Sequence, residues 1–83
     1  MTSEQIGNFI EAHVSKHPVK IEFKTRSPII GMFIRTKDYN ELKAKNFWRI
    51  VSEPRINEWK KSNDSSLAKI FNGAEFTKLN AVK

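Results

Sequence analysis

The strongest candidate for ligand recognition is an aromatic and basic cluster, Phe47-Trp48-Arg49. An aromatic ring beside a cation can stack on a nucleic-acid base while the cation binds its phosphate. Neighbouring side chains of a strand point to opposite faces, so at most one of Phe47 and Trp48 packs in the core of a one-sided sheet. The other is exposed, covered by a helix, or buried in an interface.

Trp59 poses the same question, because a large aromatic side chain in a small domain has two common roles. As exposed residues, Trp48 and Trp59 would be anchors for a protein partner. As buried residues, both would pack in the core or against a helix, and the small size of the chain favours this interpretation.

The residues that metal binding requires are sparse. His13 and His17 are the only imidazoles, and their spacing could place two nitrogens on one helix face. Pro18 follows directly, cysteine is absent, and no acidic residue converges as a third ligand. We therefore expect no metal site.

Catalytic groups are equally sparse. No serine or threonine has a well-placed base, and the three glycines form no phosphate loop or dinucleotide fingerprint. Glu22, Asp38 and Glu41 each lie among lysines, which is typical of surface ion-pair partners. We expect a protein that is not an enzyme and holds no cofactor.

The 83 residues carry a net charge of +6, concentrated in the middle of the chain. A localised basic face attracts polyanions and makes their binding salt-sensitive. The alternative is a solvated face that keeps a small protein soluble. No apolar run is long enough to span a membrane, and the polar, acidic start is unlike a signal peptide, so we expect a cytoplasmic protein without a membrane partner.

The first element is predicted to be a helix over about residues 3–16. Thr2 and Gln5 have the spacing of a capping box, and Pro18 ends the helix. Apolar residues recur on one face of this helix: Ile6, Phe9, Ile10 and Val14.

The next segments have apolar patterns that are typical of strands. Alternation predicts a strand at 19–25, and an apolar run predicts one at 29–36 that is buried on both faces or strongly bent. Gly31 within that run indicates a bulge or tight curvature. Two more strands are predicted at 46–52 and 55–60.

The segment from Thr36 to Asn40 is predicted to be a polar turn, and 41–45 is either a helical turn or the start of a strand. The last segment, 67–79, contains Asn72-Gly73 between apolar residues. Asn-Gly readily adopts positive φ at both positions, which predicts a tight hairpin. One helix and about five strands predict a single domain over 1–83, mainly β, a small five-stranded barrel with an N-terminal helix.

The closing stretch Phe71 to Leu79 is similar to the second signature of the Sm-like family, a branch of the SH3-like small barrels. That signature has an apolar residue, Arg or Lys, Gly, and apolar residues three and six positions on. Gly31, Asp38 and Asn40 resemble the first signature in their order. Asn72 stands where the family has Arg or Lys, so it offers a hydrogen bond to a base but no charge to a phosphate.

The resemblance implies a bent barrel that binds RNA and assembles through its edge strands. The implied nucleic-acid-binding residues, with nearby lysines and arginine supplying the positive field, are Lys37, Tyr39, Asn40, Asn72, Gly73, Lys20, Lys24 and Arg35. An ordinary Asp/Asn turn is the alternative interpretation of Tyr39 and Asn40.

We thus predict a non-enzymatic barrel that binds single-stranded RNA or another polyanion as a homo-oligomer. The first alternative is an SH3-like protein-interaction module that uses Trp48 or Trp59. The second is a structural homodimer that pairs edge strands.

Overall fold

The computed structural model describes residues 1–12 and 17–82, and its first element is helix α1, Ser3–Ala12. The expected capping box forms: the Thr2 amide donates to Gln5 Oε1 at 3.0 Å, and the Gln5 amide donates to Thr2 Oγ1 at 3.2 Å. The predicted continuation to residue 16, with Val14, and His13 of the histidine pair lie outside the described residues.

Five antiparallel strands form one sheet in the order β4-β3-β2-β1-β5. Their bounds are β1 Val19–Phe23, β2 Ile29–Phe33, β3 Phe47–Ser52, β4 Lys69–Asn72 and β5 Phe76–Ala81. Within the described residues no ladder joins β4 to β5, so the sheet is not closed. The architecture is a five-stranded antiparallel sheet with an N-terminal helix.

The sheet is strongly curved, because its two edges are joined by only three residues. Gly73–Glu75 forms a 3-10 turn between β4 and β5. The edges of a flat sheet of five strands would lie about 19 Å apart. A 3-10 turn of three residues rises only about 6 Å. The edges must therefore approach each other at this turn.

The predicted hairpin at 67–79 is wrong. β4 pairs with β3 and β5 pairs with β1, so Asn72-Gly73 joins opposite edges of the sheet rather than neighbouring strands. Asn72 has φ of −85°, and its side-chain oxygen accepts from the Ala74 amide at 2.9 Å, which starts a 3-10 turn. No described glycine has positive φ.

The predicted strand at 55–60 is also wrong, since helix α3 occupies Ile56–Ser62. Pro54 lies in the 3-10 turn just before it, a position where its missing N–H costs nothing. Ile56 and Trp59 are three residues apart, which is helical spacing, and both pack on the same core cluster. The helix ends at Ser62 and is capped by Asn63, whose φ of 53° is left-handed.

Segment 41–45, predicted to be either a helical turn or the start of a strand, is helical: it belongs largely to helix α2, Tyr39–Ala44. The helix begins two residues earlier than that segment and takes up the end of the predicted polar turn. With α2 and α3 the fold is mixed α/β rather than mainly β. None of the described helices has the length and apolar character needed to cross a bilayer.

Two apolar clusters lie on opposite faces of the sheet. The first is covered by α1 and comprises Ile6, Ile10, Val19, Ile21, Trp48, Ile50, Phe76 and Leu79. The second is covered by α3 and comprises Met32, Ile34, Val51 and Ile56, with Trp59 and Ala68 packed against it. Met32 of β2 belongs to the second cluster, and Ile29 and Phe33 pack, partly buried, against the first. β2 thus contributes to both faces, which is one of the two alternatives that its composition left open.

Gly31 does not mark a bulge. It pairs regularly with Val19 and Ser52, and the register shift lies instead between Glu22 and Phe23. A Cβ on Gly31 would lie 2.5 Å from Ile50 Cγ2, so the missing side chain lets β3 approach closely.

Candidate nucleic-acid interface

An open cleft of about 610 Å³ lies between the segment that follows β2 and the turn that follows α3. We call it the cleft, and its lining residues are Arg35, Thr36, Lys37, Asp38, Arg49, Asn63 and Ser65. Three lining side chains are cationic and one is anionic. Its electrostatic character is therefore basic, which suits an anionic ligand.

Asp38 and Arg49 form the fixed part of the cleft. Arg49 donates from Nη2 to Asp38 Oδ2 at 2.7 Å and from Nε to Asp38 Oδ1 at 3.3 Å, a bidentate arrangement. Thr36 Oγ1 also donates to Asp38 Oδ1. The Arg49 hydrogen bond, followed by that of Thr36, lowers the pKa of Asp38 to about 2. The same pair raises the pKa of Arg49.

Arg35 and Lys37 form the free part of the cleft. Both side chains are exposed, and no carboxylate of the described residues lies within ion-pair distance of either. The Arg35 guanidinium carbon lies 5.2 Å from the centroid of the Tyr39 ring, within cation–π range. Two charges are thus available to a ligand while Asp38 and Arg49 hold the loop in place.

Tyr39 connects the cleft to the core. Its ring packs edge-on against Trp48, with centroids 6.0 Å apart and planes at 70°. The Trp48 indole N–H in turn donates to Asn46 Oδ1 at 2.9 Å. The ring under Arg35 therefore rests on a side chain that is itself fixed by packing and a hydrogen bond.

A different environment surrounds Asn72-Gly73, at what we call the β4–β5 junction, residues 72–76 with Met1 and Asn46. The Met1 α-ammonium donates to the carbonyl oxygens of Gly73 at 3.0 Å and Phe76 at 2.7 Å. Asn46 Nδ2 donates to the Met1 carbonyl oxygen at 2.9 Å, and the Gly73 amide donates to the Asn46 carbonyl oxygen at 2.8 Å. These bonds tie Met1, the residue before β3 and the turn between the two edge strands together.

Gly73 is buried at the centre of this junction. A Cβ there would collide with Asn46 Oδ1 and would lie 2.6 Å from Ile6 Cδ1. The position needs glycine because of close packing, and it presents no side-chain surface to a ligand. Asn72 is exposed, but its amide oxygen is used by the Ala74 amide.

The structure brings together only some of the predicted nucleic-acid-binding residues. Arg35 and Lys37 line the cleft, Tyr39 lies beside it, and Asn40 follows as an exposed residue of α2. The others lie outside the cleft: Lys20 and Lys24 are exposed on and after β1, and Asn72 and Gly73 belong to the β4–β5 junction.

The two tryptophans pack inward. Trp48 is only 2% exposed, so its predicted role as a surface anchor for a protein partner is wrong. Trp59 is partly buried against the second cluster. The alternative interpretation, both tryptophans as core or helix-packing residues, fits this placement.

The sequence did not indicate the far wall of the cleft, Asn63 and Ser65. They lie in a polar turn, and no pattern relates such a turn to the distant segment 35–38. Asp38 was expected to be a surface ion-pair partner, and it pairs with Arg49 of β3. Within residues 1–12 and 17–82 no group of three or more His, Asp or Glu side chains is arranged to hold a metal ion.

Comparisons of this chain with protein-family models, with curated proteins and with solved structures find no match in any of the three. The resemblance to the Sm-like family therefore stays a prediction.

Proposed function

We propose that this protein is a non-enzymatic module that binds single-stranded RNA in the cleft. One observation carries the proposal: Arg35 and Lys37 are exposed without a carboxylate partner in the described chain, beside Arg49, which is already held in place. Cations on one surface bind successive phosphates of a strand and release its counterions.

In this proposal each cationic side chain of the cleft makes a different contact with the RNA. Lys37 is a point charge for a phosphate, and Arg35 offers a planar guanidinium supported by the Tyr39 ring. Arg49 uses Nε and Nη2 on Asp38, which leaves further N–H groups of its guanidinium for a ligand. Stacking and charge together suit a single strand, whose bases are accessible.

The strand order and the curvature at Gly73–Glu75 support a small barrel of the SH3-like kind as the scaffold, in line with the resemblance to the Sm-like family. In this proposal the sheet curls until β4 and β5 nearly meet, and the cleft opens on its outer face. The barrel thus positions the loop after β2 and the turn after α3 side by side.

The test is the RNA affinity of a double variant, Arg35→Gln with Lys37→Gln, measured by fluorescence anisotropy with a labelled mixed-sequence single strand. We expect the affinity to fall by about tenfold or more near physiological salt. The slope of log K against log salt should become shallower by about 1.4, for two lost phosphate contacts on a single strand.

The control variant is Lys45→Gln with Lys78→Gln, which removes the same charge at two exposed positions outside the cleft. Its affinity should stay near that of the unmodified protein. Equal affinities and salt slopes for the two double variants would contradict the proposed site, because net charge alone would then explain binding.

We also propose that copies of the chain associate through their edge strands. β4 and β5 each have one unpaired edge, and Ile70 of β4 is the exposed large apolar residue of the described chain, at 50%. An open edge with an apolar side chain favours pairing with another strand.

Light scattering tests the association. A mass above the 9.7 kDa of one chain is expected, and Ile70→Lys should return it to one chain while circular dichroism stays unchanged. A mass of one chain at all concentrations would overturn the association without affecting the proposed RNA site.

A further inference from the structure

A second contact between a cation and aromatic rings lies in the turn between β1 and β2. The Arg26 guanidinium carbon lies 5.0 Å from the centroid of the Phe23 ring and 5.8 Å from that of Phe71. The two rings are themselves 5.9 Å apart and inclined at 39°. One guanidinium thus covers two neighbouring rings from different strands.

The two rings are held by core packing, and the Arg26 charge has no carboxylate partner in the described part of the chain. Phe23 and Phe71 both pack against the first core cluster, and Phe23 also contacts Phe76 edge-on, with centroids 5.4 Å apart. Arg26 is exposed, and in the described part of the chain no carboxylate lies within ion-pair distance of it. Its charge therefore has no intramolecular counterion there.

We propose that Arg26, within cation–π range of Phe23 and Phe71, is a base-binding subsite for single-stranded RNA, separate from the cleft. This inference rests on the proposed function, because it extends the same bound strand to a second contact. The guanidinium carbon lies over the rings; in this proposal the exposed side of the guanidinium receives a base by stacking, and its N–H groups donate to a phosphate.

The position of Arg26 relative to the cleft fits a linear ligand. Arg26 precedes β2 and Arg35 follows it, and the five residues of β2 extend about 17 Å. Arg26 and Arg35 therefore flank one strand along the chain, and each guanidinium lies near an aromatic ring. An extended polyanion can contact both, whereas a small anion reaches only one.

The deciding variant is Arg26→Lys, which keeps the positive charge and removes the planar guanidinium. We expect its affinity for a mixed-sequence single-stranded RNA to fall by about fivefold or more, in the range of one lost base stack. Its affinity for polyphosphate, a polyanion without bases, should be unchanged. Arg55→Lys, at another exposed arginine, is the matched control and should change neither affinity.

A second measurement uses RNA with 2-aminopurine, whose fluorescence is quenched on stacking. The unmodified protein should quench it, and Arg26→Lys should quench it less. An absence of quenching by the unmodified protein would overturn the subsite, whatever the variant does.

The other outcomes separate the two proposals. An Arg26→Lys variant with unchanged RNA affinity, or with equal losses for RNA and polyphosphate, overturns the stacking subsite and leaves the cleft proposal standing. Equal losses would indicate an acidic ligand that needs only charge. If the unmodified protein binds no RNA, the proposed function fails and the subsite fails with it.

Discussion

The cleft and the β4–β5 junction contain residues predicted to share one nucleic-acid site, yet they differ in what their polar groups do. In the cleft, Arg35 and Lys37 have charges without carboxylate partners in the described chain. At the junction, Asn46 bonds Met1, Trp48 and Gly73, and Asn72 bonds Ala74. Polar groups that already have partners hold the fold, and those without partners remain available to a ligand.

The comparison shows that one sequence feature can have two causes. Asn-Gly is common where positive φ is needed, but here Gly73 is required because Asn46 and Ile6 leave no room for a Cβ. The closing stretch that resembles the Sm-like signature is thus explained by architecture. The charged loop after β2 is less distinctive as a motif, and it contributes the more accessible chemistry.

The largest effect is expected at Trp48, which connects the two regions. Trp48→Ala removes a side chain that is 2% exposed and leaves a cavity, so the free energy of unfolding should fall by about 4 kcal/mol. Urea unfolding followed by circular dichroism measures it. Trp59→Ala, at a partly buried site, should cost clearly less. Equal small losses at both positions would mean that Trp48 is not a core residue.

The next largest loss of stability is expected at Gly73, because the β4–β5 junction has no room for a side chain at that position. Gly73→Ala forces a Cβ against Asn46 and Ile6 and should lower the free energy of unfolding by about 3 kcal/mol. Gly7→Ala is the control: its Cβ meets only the end of the Lys43 side chain, which can move, and alanine favours the helix. Chemical denaturation of both variants should separate them, and a Gly73→Ala variant as stable as Gly7→Ala would contradict the close packing.

A smaller effect is expected from the Asn46 side chain. Asn46 and Asn63 both have left-handed φ, 61° and 53°, so replacing either by alanine introduces similar backbone strain. Only Asn46 bonds Trp48 and Met1 through its side chain. Asn46→Ala should therefore lower the free energy of unfolding by about 1.5 kcal/mol more than Asn63→Ala does. The difference is the cost of leaving the Trp48 indole N–H and the Met1 carbonyl oxygen without hydrogen-bond partners. No difference in denaturation midpoints would mean that those bonds contribute nothing.

In the cleft, we expect the stability of the fold to depend on pH through the Asp38 carboxylate. The pKa of Asp38 is lowered to about 2 in the folded chain by its hydrogen bonds with Arg49 and Thr36. A lowered folded pKa stabilises the fold above the unfolded pKa of about 3.9, and this contribution is lost as the pH falls through about 2. Carboxyl NMR of Asp38 should show a midpoint near 2, and Arg49→Gln should raise it. A midpoint near 4 in the unmodified protein would contradict the pair.

Much of the fold follows from local patterns in the sequence. The capping residues Thr2 and Gln5, the alternation in β1 and the apolar run of β2 each predict an element that the structure contains. These signals work because the period of burial is a property of the element itself. Segment 55–60 fits two periods at once: its residues alternate as in a strand, but Ile56 and Trp59 also have helical spacing, and burial of both against one cluster favours the helix.

The site could be predicted only in part, because it depends on contacts between distant segments. Lys37 and Tyr39 are recognisable as a charged, aromatic loop. Asp38 pairs with Arg49 of β3, and Asn63 and Ser65, which follow α3, line the same cleft. These contacts join segments that are distant in the sequence, so no local pattern predicts them. The Arg26 platform needs Phe71 from the edge strand β4, which no local pattern places beside the β1–β2 turn.

The most direct test of the central claim is an NMR map of bound RNA on the ¹⁵N-labelled protein. The cleft proposal predicts large shifts of the backbone amides of residues 35–39, 49 and 63–65, with little change at 72–75. Shifts that are largest at 72–75 and absent at 35–39 would contradict it, since the RNA would then bind at the β4–β5 junction.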